Sequence, residues 1–194
     1  ASARDADEAV HAAHALGLPV AVKIESPDIL HKTEADGVRL NLRDADAVRA
    51  ATIEVLRHAR TYDARARIDG VIVQKMATGQ VEFVLGLKHD PSFGPVLMAG
   101  FGGILIEVMK DVAFRRCPVT PQEALVLLGE LRGVALLDGV RGKPPVARAA
   151  LIELICAVSR FGAAAGARLD ELDLNPVLLS TETAVAVDCV MVLR

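Results

Sequence analysis

Residues 69–99 hold three strand-like segments in a row with no helix between them, and that run narrows the available folds more than any other feature. The segments 71–76, 81–88 and 96–99 are rich in Val, Ile, Leu and Phe, and Thr78-Gly79 and Asp90-Pro91 separate them as turn signals. A strictly alternating doubly wound fold would place a helix between neighbouring strands. Upstream, residues 5–16 read as a short amphipathic helix ended by Gly17 and Pro19. Residues 20–24 follow as a compact buried strand with one charge, Lys23, then a polar loop over 25–36. Residues 38–42 alternate with period two, as a half-buried strand does. A helix over 44–59 carries an aspartate cap.

Downstream, Gly100-Phe101-Gly102-Gly103 leads into an apolar stretch at 104–109. The helix over 120–132 is well specified: Thr120 caps it, Pro121 sits in its first turn and Glu123 completes a capping box. After an interruption rich in Gly and Pro at 133–145, residues 147–164 form the longest expected helix. Residues 172–175, 177–179 and 185–192 close the chain as strands. Helix, strands, helix, strands, helices, strands is an α+β order with two sheets, and a site between two α+β lobes is a natural ligand cleft.

Composition excludes several functions. Aromatic residues make up 3% of the chain, which leaves few platforms for stacked bases or sugars. A net charge of −3 and a pI near 6.0 argue against general affinity for nucleic acid or anionic membranes. The three cysteines, Cys117, Cys156 and Cys189, include no Cys-x-x-Cys pair, which fits buried thiols in a reducing cytoplasm rather than a zinc or redox site. No apolar run approaches the roughly 20 residues needed to cross a bilayer, and the charged N-terminus carries no export signal. The chain opens in a helical pattern without Met, so an excised part of a longer protein is expected.

Several side chains stand out chemically. Lys23 lies inside an apolar strand, where an ammonium costs several kcal/mol unless it meets an anion or leads out to water. It is either an edge-strand lysine reaching solvent or a phosphate ligand at a strand end. His31-Lys32-Thr33 places an imidazole, an ammonium and a hydroxyl in the following loop, a set that suits an anion and equally a solvated turn. Imidazole is also a competent phosphoryl acceptor near neutral pH. The Gly100–Gly103 turn lets backbone N–H groups approach phosphates, but it is neither a P-loop nor a G-x-G-x-x-G fingerprint. Gln74 and Glu82 sit in successive strands, and Asn175 and Asp188 at or near the ends of the last ones. Oxygen ligands from adjacent strands suit Mg²⁺, while caps and turn bonds account for Asn and Asp as well.

The string Val22-Lys23-Ile24-Glu25-Ser26-Pro27-Asp28-Ile29-Leu30-His31-Lys32-Thr33 resembles the first signature of the ATP-grasp domain in ADP-forming acyl-CoA synthetases. Further motifs follow in order: Gly70-Val71-Ile72-Val73-Gln74-Lys75-Met76, Glu82-Phe83-Val84-Leu85-Gly86, Asp90-Pro91-Ser92-Phe93-Gly94-Pro95-Val96 and Gly102-Gly103-Ile104. Then come Glu107-Val108-Met109-Lys110-Asp111 leading to Arg115, Leu137-Asp138-Gly139-Val140-Arg141-Gly142, and Glu171-Leu172-Asp173-Leu174-Asn175-Pro176 leading to Ala186-Val187-Asp188. Eight motifs in order are far more specific than any one of them.

The resemblance implies an ATP-grasp fold with lobes near 1–75 and 76–194 and ATP or ADP held between them. It implies that Lys23 contacts nucleotide phosphates, that Gln74, Lys75 and Met76 form the adenine hinge, and that Glu82 faces the ribose or adenine. Gly102 and Gly103 would lie near the triphosphate, Asn175 and Asp188 would be the Mg²⁺ pair, and His31 and Lys32 would serve the transferred phosphoryl group. Family enzymes interconvert acid, CoA and ATP with acyl-CoA, ADP and phosphate through a phosphohistidine. That histidine belongs to a CoA-ligase domain or α-subunit, which, with a CoA-binding domain, becomes the expected partner; a small carboxylic acid and CoA are the expected substrates. Nucleic acid and membrane are not expected partners. Family domains usually carry a further helix and strand before the first helix here, so the N-terminal lobe is expected to be incomplete. An alternative implied use is a ligand-sensing module fused to a protein lysine acetyltransferase. A carboxylate–amine ligase is disfavoured by the His31 loop and the Asp90-Pro91 motif.

Overall fold

The computed structural model describes residues 1–103, 110–140 and 142–194; the apolar stretch expected at 104–109 and Arg141 of the glycine motif lie outside them. The chain divides into two compact units, Ala1–Met76 and Ala77–Arg194.

The first unit runs β1 (Ser2–Ala3), α1 (Ala6–Leu16), β2 (Val20–Glu25), β3 (Val38–Leu42), α2 (Ala45–Tyr62) and β4 (Gly70–Lys75). Both helices start where an aspartate side chain accepts orphan N–H groups: Asp5 takes those of Asp7 and Glu8, and Asp44 takes that of Ala47 at 2.7 Å. The strands form a four-stranded antiparallel sheet in the order β1-β4-β2-β3. Val20, Val22, Ile24, Val71 and Val73 pack with Ala9, Ala13, Val48, Val55 and Ala59 of the helices into one core. The alternate residues of β2, Ala21 and Lys23, turn to the other face. Lys23 pairs with Val38 on one side and Ile72 on the other, so β2 is an inner strand and the edge-lysine reading fails. Its side chain is 6% exposed.

The second unit runs β5 (Val81–Asp90), β6 (Gly94–Phe101), β7 (Val112–Arg116), α3 (Pro121–Gly129), a 3₁₀ turn (Val134–Asp138), α4 (Arg148–Ala165), a short 3₁₀ turn (Gly166–Arg168), β8 (Leu169–Leu179), β9 (Ala184–Ala186) and β10 (Val190–Leu193). Its sheet has the order β10-β8-β5-β6-β7, with β9 also paired to β8. Phe83, Leu85, Leu87, Leu97, Leu127, Leu128, Leu151 and Ile155 fill the core between the sheet and α3 and α4. Each such side chain stabilises the fold by roughly 1.5–3 kcal/mol relative to exposure. Phe83 and Phe101 meet edge to face, centroids 5.4 Å apart. Gly162 lets α4 approach the sheet, since a Cβ there would come within 2.9 Å of Leu87 Cδ2.

Several expectations change. The three successive strands of 71–99 are divided between two sheets, β4 in one and β5–β6 in the other, because β4 finds its partner in β2. The strand expected to stop at Asn175 runs on through Pro176. Between Phe83↔Val177 and Leu85↔Leu174 one residue of β5 faces two of β8, a bulge that admits a residue with no N–H to donate. The final strand expected at 185–192 is broken at 187–189. β1 and β7 were not anticipated, and α2 equals α4 at 18 residues, so α4 is not the single longest helix. Among the described residues, Arg148–Arg168 is long and apolar enough by length and composition to cross a membrane, contrary to expectation. Its alanines raise that count, while Leu151, Ile155, Cys156, Val158, Ser159 and Gly162 are buried in this unit.

Candidate functional site

In the first unit the candidate residues gather on β2, β4 and the loop after β2. Lys23 and Gln74 share the helix-free face: Lys23 is register-paired with Ile72, and Gln74 with Ala21 one step along. Lys75, paired with Val20, turns to the opposite face and is exposed. Met76 is half-buried, and its N–H donates to the Pro19 carbonyl at 3.1 Å. His31 is exposed and Lys32 half-buried in the 26–37 loop. That loop returns to β2 through the Ile24 N–H, which donates to the Gly37 carbonyl at 2.8 Å beside Lys23.

In the second unit, Glu82 and the glycine turn are in contact. The Gly102 N–H donates to the Glu82 carbonyl at 2.9 Å. Gly103 has φ +60, and a Cβ on it would stand 2.8 Å from Glu82 Oε2. Glycine is needed there both for the left-handed backbone and for the room.

Asn175 and Asp188 come from segments that continue one register. Val177 faces Ala186 and Asp173 faces Val190 across the same antiparallel pairing, which sets Asn175 opposite Asp188 in the gap between β9 and β10. The Val187 N–H donating to the Pro176 carbonyl at 3.1 Å holds that gap in line. Asp188 is therefore half-exposed in a strand break, not inside the continuous strand expected over 185–192. Arg115 is paired with Glu130 (Nη2–Oε1 2.5 Å), and that pairing holds the Glu130 carboxyl below the usual carboxylate range.

Asp173 is a residue that sequence reasoning quoted without a role. It lies two residues before Asn175 on the sheet face away from the Leu172 and Leu174 core side. The signal was present: Glu171, Asp173 and Asn175 are polar at every second position. Asp111 also passed unassigned. It is 6% exposed, and its two oxygens accept the N–H groups of Arg132 (2.9 Å) and Gly133 (2.7 Å). It thereby pins the start of β7 to the turn between α3 and the following 3₁₀ turn.

The candidate side chains of the second unit carry carboxylate and amide oxygens, the donor type that suits a hard cation and its phosphate ligands. No three His, Cys, Asp or Glu side chains group into a metal site among the described residues, so any cation here would take most of its shell from elsewhere.

Residues 1–193 match the ATP-grasp domain family. The chain is 38% identical over 191 residues to the β subunit of an ADP-forming acetate–CoA ligase of Pyrococcus furiosus, covering 98% of this chain and 82% of that one. It is 41% identical over 177 residues to an ADP-forming 4-hydroxybutyrate–CoA ligase of Nitrosopumilus maritimus, covering 91% of this chain but only 25% of that longer protein. A solved structure of the dinucleotide-forming acetyl-CoA synthetase 1 of Candidatus Korarchaeum cryptofilum, with coenzyme A, Ca-AMPCP and HgCl⁺, matches with TM-score 0.96 and 36% identity over 100% of this chain and 84% of that chain. A second structure of that protein holds coenzyme A and Mg-AMPPCP, with its phosphohistidine segment pointing towards the nucleotide-binding site; it matches with TM-score 0.83 and 34% identity over the same shares.

The chain belongs to the ATP-grasp family. Within that class it is the nucleotide-binding, phosphoryl-transfer portion of an ADP-forming acyl-CoA synthetase. These relatives are ligases and ligase subunits, and they lend no support to the regulatory alternative.

Proposed function

We propose that this chain binds ATP or ADP with Mg²⁺ and exchanges a phosphoryl group between the nucleotide and a histidine on a CoA-ligase domain or α-subunit. The whole reaction joins a small carboxylic acid to CoA, with ATP yielding ADP and phosphate. The observation that carries this reading is the opposition of Asn175 and Asp188, with Asp173 one step along the same strand. Two oxygen ligands leave room for phosphate oxygens and water in an octahedral shell, the arrangement Mg²⁺ favours. When bound, the cation would offset the charge of the phosphate oxygens.

The remaining work falls to side chains of this chain. The ammonium of Lys23, held in an inner strand, meets a phosphate, which repays its burial. The β4 end at Gln74, Lys75 and Met76 borders the adenine edge, Lys75 with its backbone; Glu82 faces the ribose or adenine, and Gly102 and Gly103 admit the phosphates close to the backbone. His31 contacts or relays the transferred group, and Lys32 balances its charge. In the transfer, the bond from the terminal phosphorus to the bridging oxygen breaks, an N–P bond forms on the histidine, and ADP leaves with the electron pair. The phosphohistidine segment of the Korarchaeum protein supports a histidine supplied from outside this region. Relatives of similar identity are named for acetate and for 4-hydroxybutyrate, which supports an acid chosen elsewhere in the enzyme. The reading places the reaction in the cytoplasm and involves no nucleic acid and no membrane.

The test combines the chain with its CoA-ligase part and γ-labelled ATP. Acid-labile label on a histidine of that part, lost on chelation of Mg²⁺, is expected. A folded, nucleotide-bound complex that never labels the histidine overturns the reading.

A further inference from the structure

We infer that the loop over 26–37 is a platform with two fixed feet, in which Asp28 and Asp36 are positioning residues for His31, Lys32 and Thr33. The inference rests on the proposed role of that loop in phosphoryl transfer and specifies how the loop is held. Antiparallel neighbours need only two to five connecting residues, yet β2 and β3 are joined by about a dozen. The extra length is organised throughout.

The first foot is built by Ser26 and Asp28. Ser26 Oγ donates to the Arg67 carbonyl at 2.6 Å and accepts the N–H groups of Asp28 and Ile29, each at 3.2 Å. Asp28 Oδ2 accepts the Arg67 N–H at 2.6 Å. Ile29, 2% exposed, sinks into the core of the unit.

The second foot is Asp36. Its backbone is left-handed (φ +49), a conformation that Asp and Asn tolerate better than most residues. Its carboxylate accepts Arg39 Nη1 at 2.8 Å and Nη2 at 3.0 Å, a bidentate pair, and lies 2.6 Å from His58 Nδ1. Arg39 Nε in turn donates to Glu54 at 3.2 Å, and Arg57 Nη2 stands 2.6 Å from His58 Nε2. Both nitrogens of His58 are thereby engaged, Nδ1 beside Asp36 and Nε2 beside Arg57. The foot is thus tied to β3 and α2 together.

Between the feet, three backbone bonds wind the crown. The carbonyls of His31, Thr33 and Lys32 accept the N–H groups of Glu34 (3.1 Å), Asp36 (3.1 Å) and Gly37 (2.8 Å). Gly37 closes the ring against β2; a Cβ there would meet Ile24 Cγ2 at 2.7 Å and the Lys32 carbonyl at 3.0 Å. With all three crown carbonyls committed, it is the side chains that the loop offers. Exposed ion pairs such as those of Asp36 add little to stability, whereas bidentate geometry fixes direction, and direction is what a transfer step needs.

The experiment uses the complete enzyme. Asp36→Asn keeps a residue that accepts the left-handed backbone and removes the charge; Asp28→Ala removes the acceptor of the first foot. The double variant is expected to bind nucleotide within about twofold of the parent, while kcat for phosphoryl transfer falls about tenfold. His31→Ala is measured alone and on top of the double variant. If the feet act through His31, adding them to His31→Ala costs nothing further. A slow His31→Ala beside foot variants at parental rate overturns this inference alone, as does a further loss when they are combined. A parental rate for His31→Ala overturns the underlying role of the loop instead. Should the double variant fail to fold, Asp36→Asn alone decides, by the same kcat comparison.

Discussion

The carboxylate of Glu82 rests so close to Gly103 that a Cβ on that glycine would stand 2.8 Å from Oε2. Gly103→Ala therefore strains a left-handed backbone, about 1–2 kcal/mol for an L-residue, and pushes a mobile carboxylate aside. Nucleotide affinity is expected to weaken in this variant. In the Glu82→Ala background the same glycine change should have little further effect on affinity, because the displaced group is gone. Calorimetric titration of the four-member cycle separates the two; equal losses in both backgrounds would show that the turn acts without Glu82.

Lys23 sits 6% exposed in an inner strand. Lys23→Met keeps the stem and removes the charge, so stability should shift by no more than about 1.5 kcal/mol. Nucleotide affinity should fall tenfold or more, roughly 1.4 kcal/mol for the lost charged contact. Titration with ATP and ADP checks this, and an unchanged Kd would assign the ammonium a purely structural role.

Asp188→Asn keeps the side chain's shape and removes its negative charge opposite Asn175. Binding of Mg²⁺-nucleotide should weaken strongly, with metal-free nucleotide barely affected. The discriminating measurement is the ratio of the two affinities. A ratio identical to the parent's ends the metal assignment.

Asp111 satisfies the N–H groups of Arg132 and Gly133 from a buried position. Asp111→Ala leaves both donors without that partner, about 2–6 kcal/mol of lost stability at roughly 1–3 kcal/mol per orphaned group. Asp111→Asn retains an oxygen for one of them and should lose about half as much. Urea denaturation of the two variants against the parent gives the comparison.

The carboxyls of Asp36, Glu130 and Asp170 are held below their ordinary range chiefly by hydrogen bonds from Arg39, Arg115 and Arg194. A carboxyl whose pKa falls on folding stabilises the native state above its unfolded pKa, and that contribution is lost as pH falls through the folded value. Melting temperature should thus be flat with respect to these groups near neutrality and decline below about pH 4. These side chains lie at the surface, so the decline should flatten in about 1 M salt. Glu130→Gln should show a shallower acid limb than the parent; an identical limb would mean that the Arg115 pair contributes nothing.

Most elements could be read from the residues because their signals are local. Thr120, Pro121 and Glu123 specify the start of α3 within four positions, and the capping box forms as written. Asp44 does the same for α2. The break at 187–189 left no local mark: Ala186-Val187-Asp188-Cys189-Val190 reads as one apolar strand with a single charge. β7 was missed for a related reason, since Val112-Ala113-Phe114-Arg115-Arg116 is too short and too charged to show a clear period.

By itself the sequence determined most of the helices and strands, the α+β class, and, through eight motifs in order, the family and the residue types at the candidate site. Only the tertiary structure decided that Lys23 lies in an inner strand, that β4 and β5 belong to different sheets, and that Asn175 stands opposite Asp188. Helix caps and side-chain periods arise between residues a few positions apart, so one chain segment carries them. Sheet membership and register arise from backbone hydrogen bonds between segments far apart in sequence, and every strand offers the same N–H and C=O groups to any partner.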